Sequence, residues 1–576
     1  MDFSYYQLRA YLLKREEAQH AVFKLTELEE LWRCTVKQCK RRLKQYQELG
    51  RLEYIPGRGR GNYSELIFQQ AFQQEIQRVV EKALKEDSLT EVIELLQLDI
   101  PKEWFEEVFT EIQGMFGVKQ SPDNQEILRY ILRRPITSLD PLQTAVSREA
   151  FLIHQLGDTL LVHDAATHRL KAGLAHHWRV SEDYCCWTFF LRKGVRFHHG
   201  RTMTSEDVRH TLMRAKMAGS VVSWQLQNIV AVRCIDTYTV AVELRKGEPF
   251  FGHYVSTGNL TILPHDLPFE EQKWVSTGPF RIKEFSDQKV ILEVFEEYYG
   301  KRPLMDRIEF WVIESQELPV TVSTERAFSK EDSYVEKYKK NTGVEFLIFN
   351  FRRQNIVQHP DFREAIYHLL DPVLMTEELE MGKVASRYYP EKSCIEPRMP
   401  EKIRRLLKKA DYQGESIVLG SFNYLEARKK AQWVKNRASE FGLNIEIKEL
   451  AIVDSFYTKE FEKQTDMMMM GDIPATDKEL AFLDFCCNPN LLCQRFFSAE
   501  ILEELDKKAE KMKFDPNYEQ RQIEYEQIER WLTENNYLVY VSHPIKKELV
   551  HSTIEQQNGA FFSYLNLRTA WAEKDY

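Results

Sequence analysis

The stretch that most constrains this chain is residues 25–68, where two short helical patterns and a glycine-rich hairpin follow one another. Thr26 and Glu29 have the Ser/Thr-x-x-Glu spacing of a helix start, with Leu25, Leu28 and Leu31 as an apolar stripe. Thr35 and Gln38 repeat the device, Val36, Cys39, Leu43, Tyr46 and Leu49 fall near helical spacing, and Gly50 stands where a left-handed cap belongs. This is a helix-turn-helix pattern. The run RLEYIPGRGRGNYSELIF then reads as two strands about a turn that contains three glycines, with Arg58 and Arg60 at its tip. A winged helix-turn-helix explains both halves. It predicts that Thr35, Lys37, Gln38, Lys40, Arg41 and Lys44 of the second helix, with Arg58 and Arg60 of the wing, meet double-stranded DNA, because such side chains reach phosphates and base edges.

Charge supports that division. The 576 residues carry a net −9, yet residues 1–70 hold 13 Lys/Arg against 9 Asp/Glu, a net +4, and residues 33–60 hold 9 against 2, a net +7. The remainder, at −13, would be repelled by DNA. Residues 71–120 read as an acidic helical connector with Val79, Val80, Ala83, Leu84, Val92, Leu95 and Leu96 as an apolar stripe. SPDN at 121–124 is the candidate linker. The first twenty residues carry Asp2, Arg9, Lys14 and Arg15 and no apolar run of signal length, and no segment approaches the roughly 20 apolar residues of a membrane span. Nine cysteines without metal-ligand spacing read as free thiols, so a cytoplasmic location is expected.

From residue 125 the texture becomes mixed strand and helix, and here a resemblance enters. The run LRKGVRFHHGRTMTSEDVRHTLMRAK at 191–216 resembles the signature of the family 5 peptide- and solute-binding proteins of ABC transporters, with Thr204 as the expected N-cap and Asp207 at the third helical position. SLDP (138–141), IDTYTVAVEL (235–244), STGPFRIKEF (276–285), EEYYGKRPLMDRIEF (296–310), LIFNFRR (347–353) and HPDFREAIYHLLD (359–371) follow in the family's order. The segment 501–535 is similar to its carboxy-terminal helix pair. Joined to the amino-terminal unit, this order resembles the SgrR-type transcriptional regulators.

The fold class implied is α/β overall. Residues 1–70 would form a winged helix-turn-helix, 71–120 a connector, and 125–576 a bilobal periplasmic-binding-protein-like (type II, family 5) domain with hinges near 276–285 and 530–545. The function implied is a DNA-binding regulator, with activation favoured over repression, that is controlled by a solute in the interlobe cleft: a sugar, a sugar phosphate or a peptide-like molecule. The competing reading is a solute- or oligopeptide-binding component of a transport system whose head does not bind DNA. A homodimer stays open.

Position in the resemblance nominates Tyr254, Thr257, Asn259, Asn350, Arg352, Tyr388, Tyr424 and Asp472 as ligand-binding residues. Arg352 would matter most for an anionic ligand. The family's tryptophan ahead of its ligand aspartate is absent before Asp472. Met467 to Met470 read as a buried strand rather than a metal site. No cofactor, metal or catalytic centre is expected, since GxSxG, GxxxxGK[ST], HExxH and GxGxxG are all missing.

Overall fold

The computed structural model describes residues 1–57, 63–132, 134–144, 146–217, 219–313, 334–340, 343–451, 460–551, 554–556 and 566–572. The first unit runs α1 (Phe3–Leu12), β1 (His20–Phe23), α2 (Leu25–Trp32), α3 (Val36–Glu48), β2 (Leu52–Ile55) and β3 (Ser64–Phe68). Its sheet is antiparallel in the order β1-β3-β2. This is a winged helix-turn-helix.

Two details differ from the sequence reading. Helix α2 starts at Leu25 with Lys24 as its N-cap, so Thr26 lies inside the first turn and the box is closed by Glu27, whose Oε1 accepts the Lys24 amide (3.3 Å). Glu29 instead accepts the Val36 amide (2.9 Å), tying α2 to the first turn of α3. At α3 the expectation and the geometry agree: Thr35 is the N-cap and its amide donates to Gln38 Oε1 (2.9 Å). Leu49 is not part of the buried stripe; it is 59% exposed, because the helix ends at Glu48 and Gly50 turns the chain at φ +67°.

Helices α4 (Phe72–Lys85) and α5 (Leu89–Leu96) follow. Their buried faces join the core of the winged unit, and one apolar cluster runs from Tyr5 to Phe116 without a break at residue 70. The buried Arg9 guanidinium fastens the two parts: it pairs with Glu16 (2.7 Å) and Glu75 (3.1 Å), donates to the Gln70 carbonyl (3.2 Å) and lies 3.8 Å over the Phe68 ring. Beyond Phe116 the helical expectation fails, because Gly117 at φ +82° opens a strand, Gly117–Gln120, paired antiparallel with Glu126–Leu132. The SPDN segment is the turn of that hairpin rather than a linker, with Ser121 Oγ accepting the Gln125 amide (3.1 Å).

The body has two lobes. Strands Phe280–Phe285, Lys289–Val294, Arg307–Val312, Glu126–Leu132 and Gly117–Gln120 make the first-lobe sheet in that order. A four-stranded antiparallel sheet built from residues 175–244 stands beside it. The second lobe is a six-stranded mixed sheet ordered Lys383–Val384, Leu538–His543, Val344–Phe349, Met467–Asp472, Ile417–Phe422, Ile445–Leu450. Its central strands, VEFLIF and LVYVSH, are buried almost throughout, as strands covered on both faces must be. Met467, Met468 and Met469 lie in that core. Helix Leu425–Glu440 supplies the crossover between the parallel strands 417–422 and 445–450.

Chain passes between lobes along Tyr334–Lys340 and Ile545–His551, which pair antiparallel. The first hinge was expected near 276–285, but residues 280–285 are a strand of the first-lobe sheet. Thr204 caps helix Ser205–Lys216 as expected, with its amide donating to Asp207 Oδ2 (2.7 Å).

Candidate nucleic-acid interface and solute cleft

Helix α3 turns Cys39, Leu43 and Tyr46 inward, where Tyr46 meets Tyr5 edge to face at 5.3 Å. The same periodicity places Thr35, Lys37, Gln38, Lys40, Arg41 and Lys44 outward, all exposed. Among the described residues none of Lys37, Lys40, Arg41 and Lys44 has an ion-pair partner. Arg42 behaves differently, lying 5.4 Å over the Trp32 ring. The result is a convex helix face with four unpaired cations, the shape and charge that a DNA major groove accepts. Arg58 and Arg60 fall outside the described residues.

Packing and hydrogen bonds join this head to the body sheet. Ile131, Trp311 and Ile313 of the first lobe complete the head's apolar cluster. Arg129, on the strand Glu126–Leu132, forks onto Asp87 between α4 and α5 (3.0 and 3.2 Å) and also reaches Glu309 (3.0 Å) and the Met115 carbonyl (3.3 Å). Gln97 donates to the Val312 carbonyl (3.1 Å).

A solvent-open cleft of about 710 Å³ lies where the two lobes and the four-stranded unit converge. Thr144, Ser147 and Asn259 form one wall, Gln225 another, and Asp472, Asp484 and Asn488 the second-lobe side, with Val221, Val222, Ile473 and Leu480 between them. Burial raises the Asp484 carboxyl to about 7, and the neighbouring Asp472 charge adds to this. Asp484 accepts from Trp224 Nε1 (3.2 Å) and from the Asn488 amide (3.2 Å to each oxygen). Burial also raises Asp472, against the opposing effect of the Tyr388 hydroxyl that donates to it. Gln225 Oε1 is buried without a partner.

Of the eight residues nominated from sequence, the structure brings three to this cleft: Thr257, Asn259 and Asp472. Asn259 also braces the wall, donating to the carbonyls of Pro141 (2.7 Å) and Thr144 (2.9 Å). Tyr388 is fully buried and acts behind Asp472. The other four are corrected. Tyr254 sits in the core of the four-stranded unit with its hydroxyl on Glu248 (2.9 Å). Asn350 is fully buried and holds the carbonyls of Glu462 and Thr465 (2.7 and 2.9 Å). Arg352 donates to the carbonyls of Gln494 (2.6 Å) and Phe497 (3.2 Å), so its guanidinium is engaged away from the cleft. Tyr424 is the N-cap residue of the crossover helix, 38% exposed. Sequence reasoning missed Asp484, Gln225 and Asn488. The signal for Asp484 was a lone carboxylate inside the apolar run LAFLDFCC.

A winged helix-turn-helix head on a bilobal solute-binding body defines the class. Residues 169–490 match the family described as bacterial extracellular solute-binding proteins, family 5 middle, and residues 4–115 match the sugar transport-related sRNA regulator N-terminal domain. The chain belongs to the family 5 solute-binding proteins and, with that amino-terminal domain, is an SgrR-type regulator with a family 5 binding domain. It is 27% identical over 513 residues to the protein YhjP of Bacillus subtilis (strain 168), covering 85% of each chain. It is 23% identical over 482 residues to the HTH-type transcriptional regulator SgrR of Yersinia enterocolitica, covering 81% of this chain and 84% of that one. The SgrR of Pectobacterium atrosepticum is 26% identical over 356 residues, 61% of each chain. Among solved structures, a dipeptide-binding protein from Pseudoalteromonas sp. SM9913 superposes with TM-score 0.68 at 19% identity, over 78% of this chain and 100% of that one. DppA of Helicobacter pylori gives 0.68 at 18%, over 78% and 98%. These likenesses show the fold of the body. No described helix is long and apolar enough to cross a membrane.

Proposed function

We propose that this chain binds promoter DNA through α3 and its wing, and that a small solute closing the interlobe cleft controls that binding. The observation that carries the reading is the outward face of α3, where Lys37, Lys40, Arg41 and Lys44 stand exposed, without ion-pair partners among the described residues, on a helix whose other face is locked into the core. Sensor and head share packing through Ile131, Trp311 and Arg129, so a shift of the first-lobe sheet reaches α4 and α5. A solute moves such an equilibrium only by its unequal affinity for the two arrangements. In this reading the solute-closed body holds the head competent for DNA, which makes activation the expected sign and the cytoplasm the expected location. A two-fold pair of chains on a two-half-site operator fits the same geometry.

The cleft is read as a binding site, in keeping with the binding and regulatory families matched. Its charged groups are carboxylates, Asp472 and Asp484, so the ligand carries a cationic nitrogen or several N–H donors. A sugar phosphate is disfavoured because Arg352 is engaged elsewhere. A peptide-like amine is favoured, and the solved neighbours in complex with Met-Leu and with the peptide STSA lend that support. The test is fluorescence anisotropy of the full chain with DNA from its own upstream region, with and without small molecules that co-purify with it. Binding that falls steeply with salt and shifts with the solute is expected. Absence of binding at low salt would overturn the reading.

A further inference from the structure

Away from the cleft, a second set of donors meets at the seam between the four-stranded unit and the second lobe. His163 lies on the short strand Leu161–Asp164, and His253 on the helical turn Phe251–Tyr254. Asp477 comes from the second lobe, where its Oδ1 caps helix Lys478–Cys487 by accepting the Leu480 amide (3.1 Å). Its other oxygen, Oδ2, is 2.6 Å from His253 Nδ1 and 4.0 Å from His163 Nε2. One ligand atom from each residue lies within 4.8 Å of the other two, and all three side chains are less than a tenth exposed.

A metal with donors at roughly 2.0–2.2 Å sets tetrahedral ligand–ligand edges of about 3.3–3.6 Å. The two separations from Asp477, 2.6 and 4.0 Å, bracket that value. The surroundings hold the donors in place. His253 stacks on Phe250 at 4.1 Å with the rings 3° from parallel. A third imidazole, His168, has its ring 6.3 Å from that of His163 and stacks on Tyr518 of the second lobe at 5.4 Å. Only one approach among the three donors is a normal hydrogen bond, His253 to Asp477; His163 faces the same carboxylate at 4.0 Å without a bond, and its Nδ1 is buried without a partner. Among the described residues the other group of this kind, Asp207 with His265 and Asp266, already holds the Arg201 guanidinium and needs no ion.

We propose that His163, His253 and Asp477 bind a divalent transition-metal ion, and that the ion latches the second lobe onto the four-stranded unit. Two imidazoles and one carboxylate suit zinc, nickel or cobalt over magnesium or calcium, which prefer all-oxygen shells. The fourth position is left for water or for His168. This site concerns the lobe seam and stands independently of DNA binding.

The test uses the full chain stripped with chelator, Zn²⁺ alone as the probe, equilibrium dialysis for stoichiometry and affinity, and thermal melting for stability. One ion per chain is expected, with His163→Gln and Asp477→Asn each weakening it at least tenfold and abolishing the rise in melting temperature. Asp477→Asn keeps a helix-capping oxygen, and His163→Gln touches no cap, so a folding defect in one leaves the other informative. His176→Gln, on an exposed strand position, leaves binding unchanged. With Co²⁺ the absorption spectrum shows no thiolate charge-transfer band, which separates this site from the cysteines. Zinc binding equal in all variants, a thiolate band, or no stoichiometric binding by the unaltered chain would each overturn the proposal.

Discussion

The outer face of α3 and the wall of the interlobe cleft use charge in opposite ways. On α3, four cations stand in solvent without ion-pair partners among the described residues, on a helix held by Cys39, Leu43 and Tyr46 beneath. In the cleft, Asp472 and Asp484 are half-buried, their carboxyls pushed up by desolvation and restrained by Tyr388, Trp224 and Asn488. An exposed cation is well placed to meet a long anionic polymer, whose affinity arises from counterion release. A buried carboxylate is costly until a specific partner arrives, so it suits a small ligand that fills the cavity. Arg129 and the shared core beside Ile131 join the head to the first-lobe sheet.

The largest expected effect lies on the buried side. The folded pKa of Asp484, about 7, exceeds its ordinary 3.8, so the native chain holds a proton that the unfolded chain releases. Its contribution to stability is full below about pH 4 and is lost as pH rises through about 7, amounting to at most about 4 kcal/mol. Asp484→Asn should flatten that part of the stability profile in denaturant titrations across this range. For a cationic ligand the sign reverses: affinity should rise through pH 7 as Asp484 ionises, and calorimetry on the Asn variant should lose that rise.

Next comes the exposed side. Replacing Lys40, Arg41 and Lys44 together with alanine should weaken DNA binding on the order of a hundredfold at moderate salt, with melting temperature nearly unchanged. Arg129→Gln should act between the regions, cutting the solute-dependent change in DNA affinity by roughly tenfold while the solute's own binding stays close to normal. A full solute response in that variant would move the coupling elsewhere. The smallest effect is expected for Tyr424→Ala, which should shift solute affinity by less than about twofold, since the residue stands outside the cleft.

What was legible in the amino-acid string follows the same contrast. The face of α3 could be read because helical periodicity alone decides which side chains point outward. The capping of Ser205–Lys216 by Thr204 and the buried methionine strand were legible for the same local reason. The cleft was not. Asn350 and Arg352 look like ligand groups in a one-dimensional string, but each satisfies backbone carbonyls of chain more than a hundred residues away. Asp484 and Gln225 reach the cleft from separate units, and only the packed structure brings them together. The strand at Gly117–Gln120 was missed because its partner, Glu126–Leu132, lies beyond the turn that read as a linker.

That α3 meets DNA through its unpaired cations is the central claim, and the salt dependence of binding tests it most directly. Full-length protein and its triple Lys40, Arg41, Lys44 alanine variant would be titrated against upstream DNA over a range of salt concentrations. A steep linear fall of log affinity with log salt is predicted, with a slope shallower in the variant by about 0.9 for each phosphate it no longer neutralises. Identical slopes for the two proteins would contradict the claim.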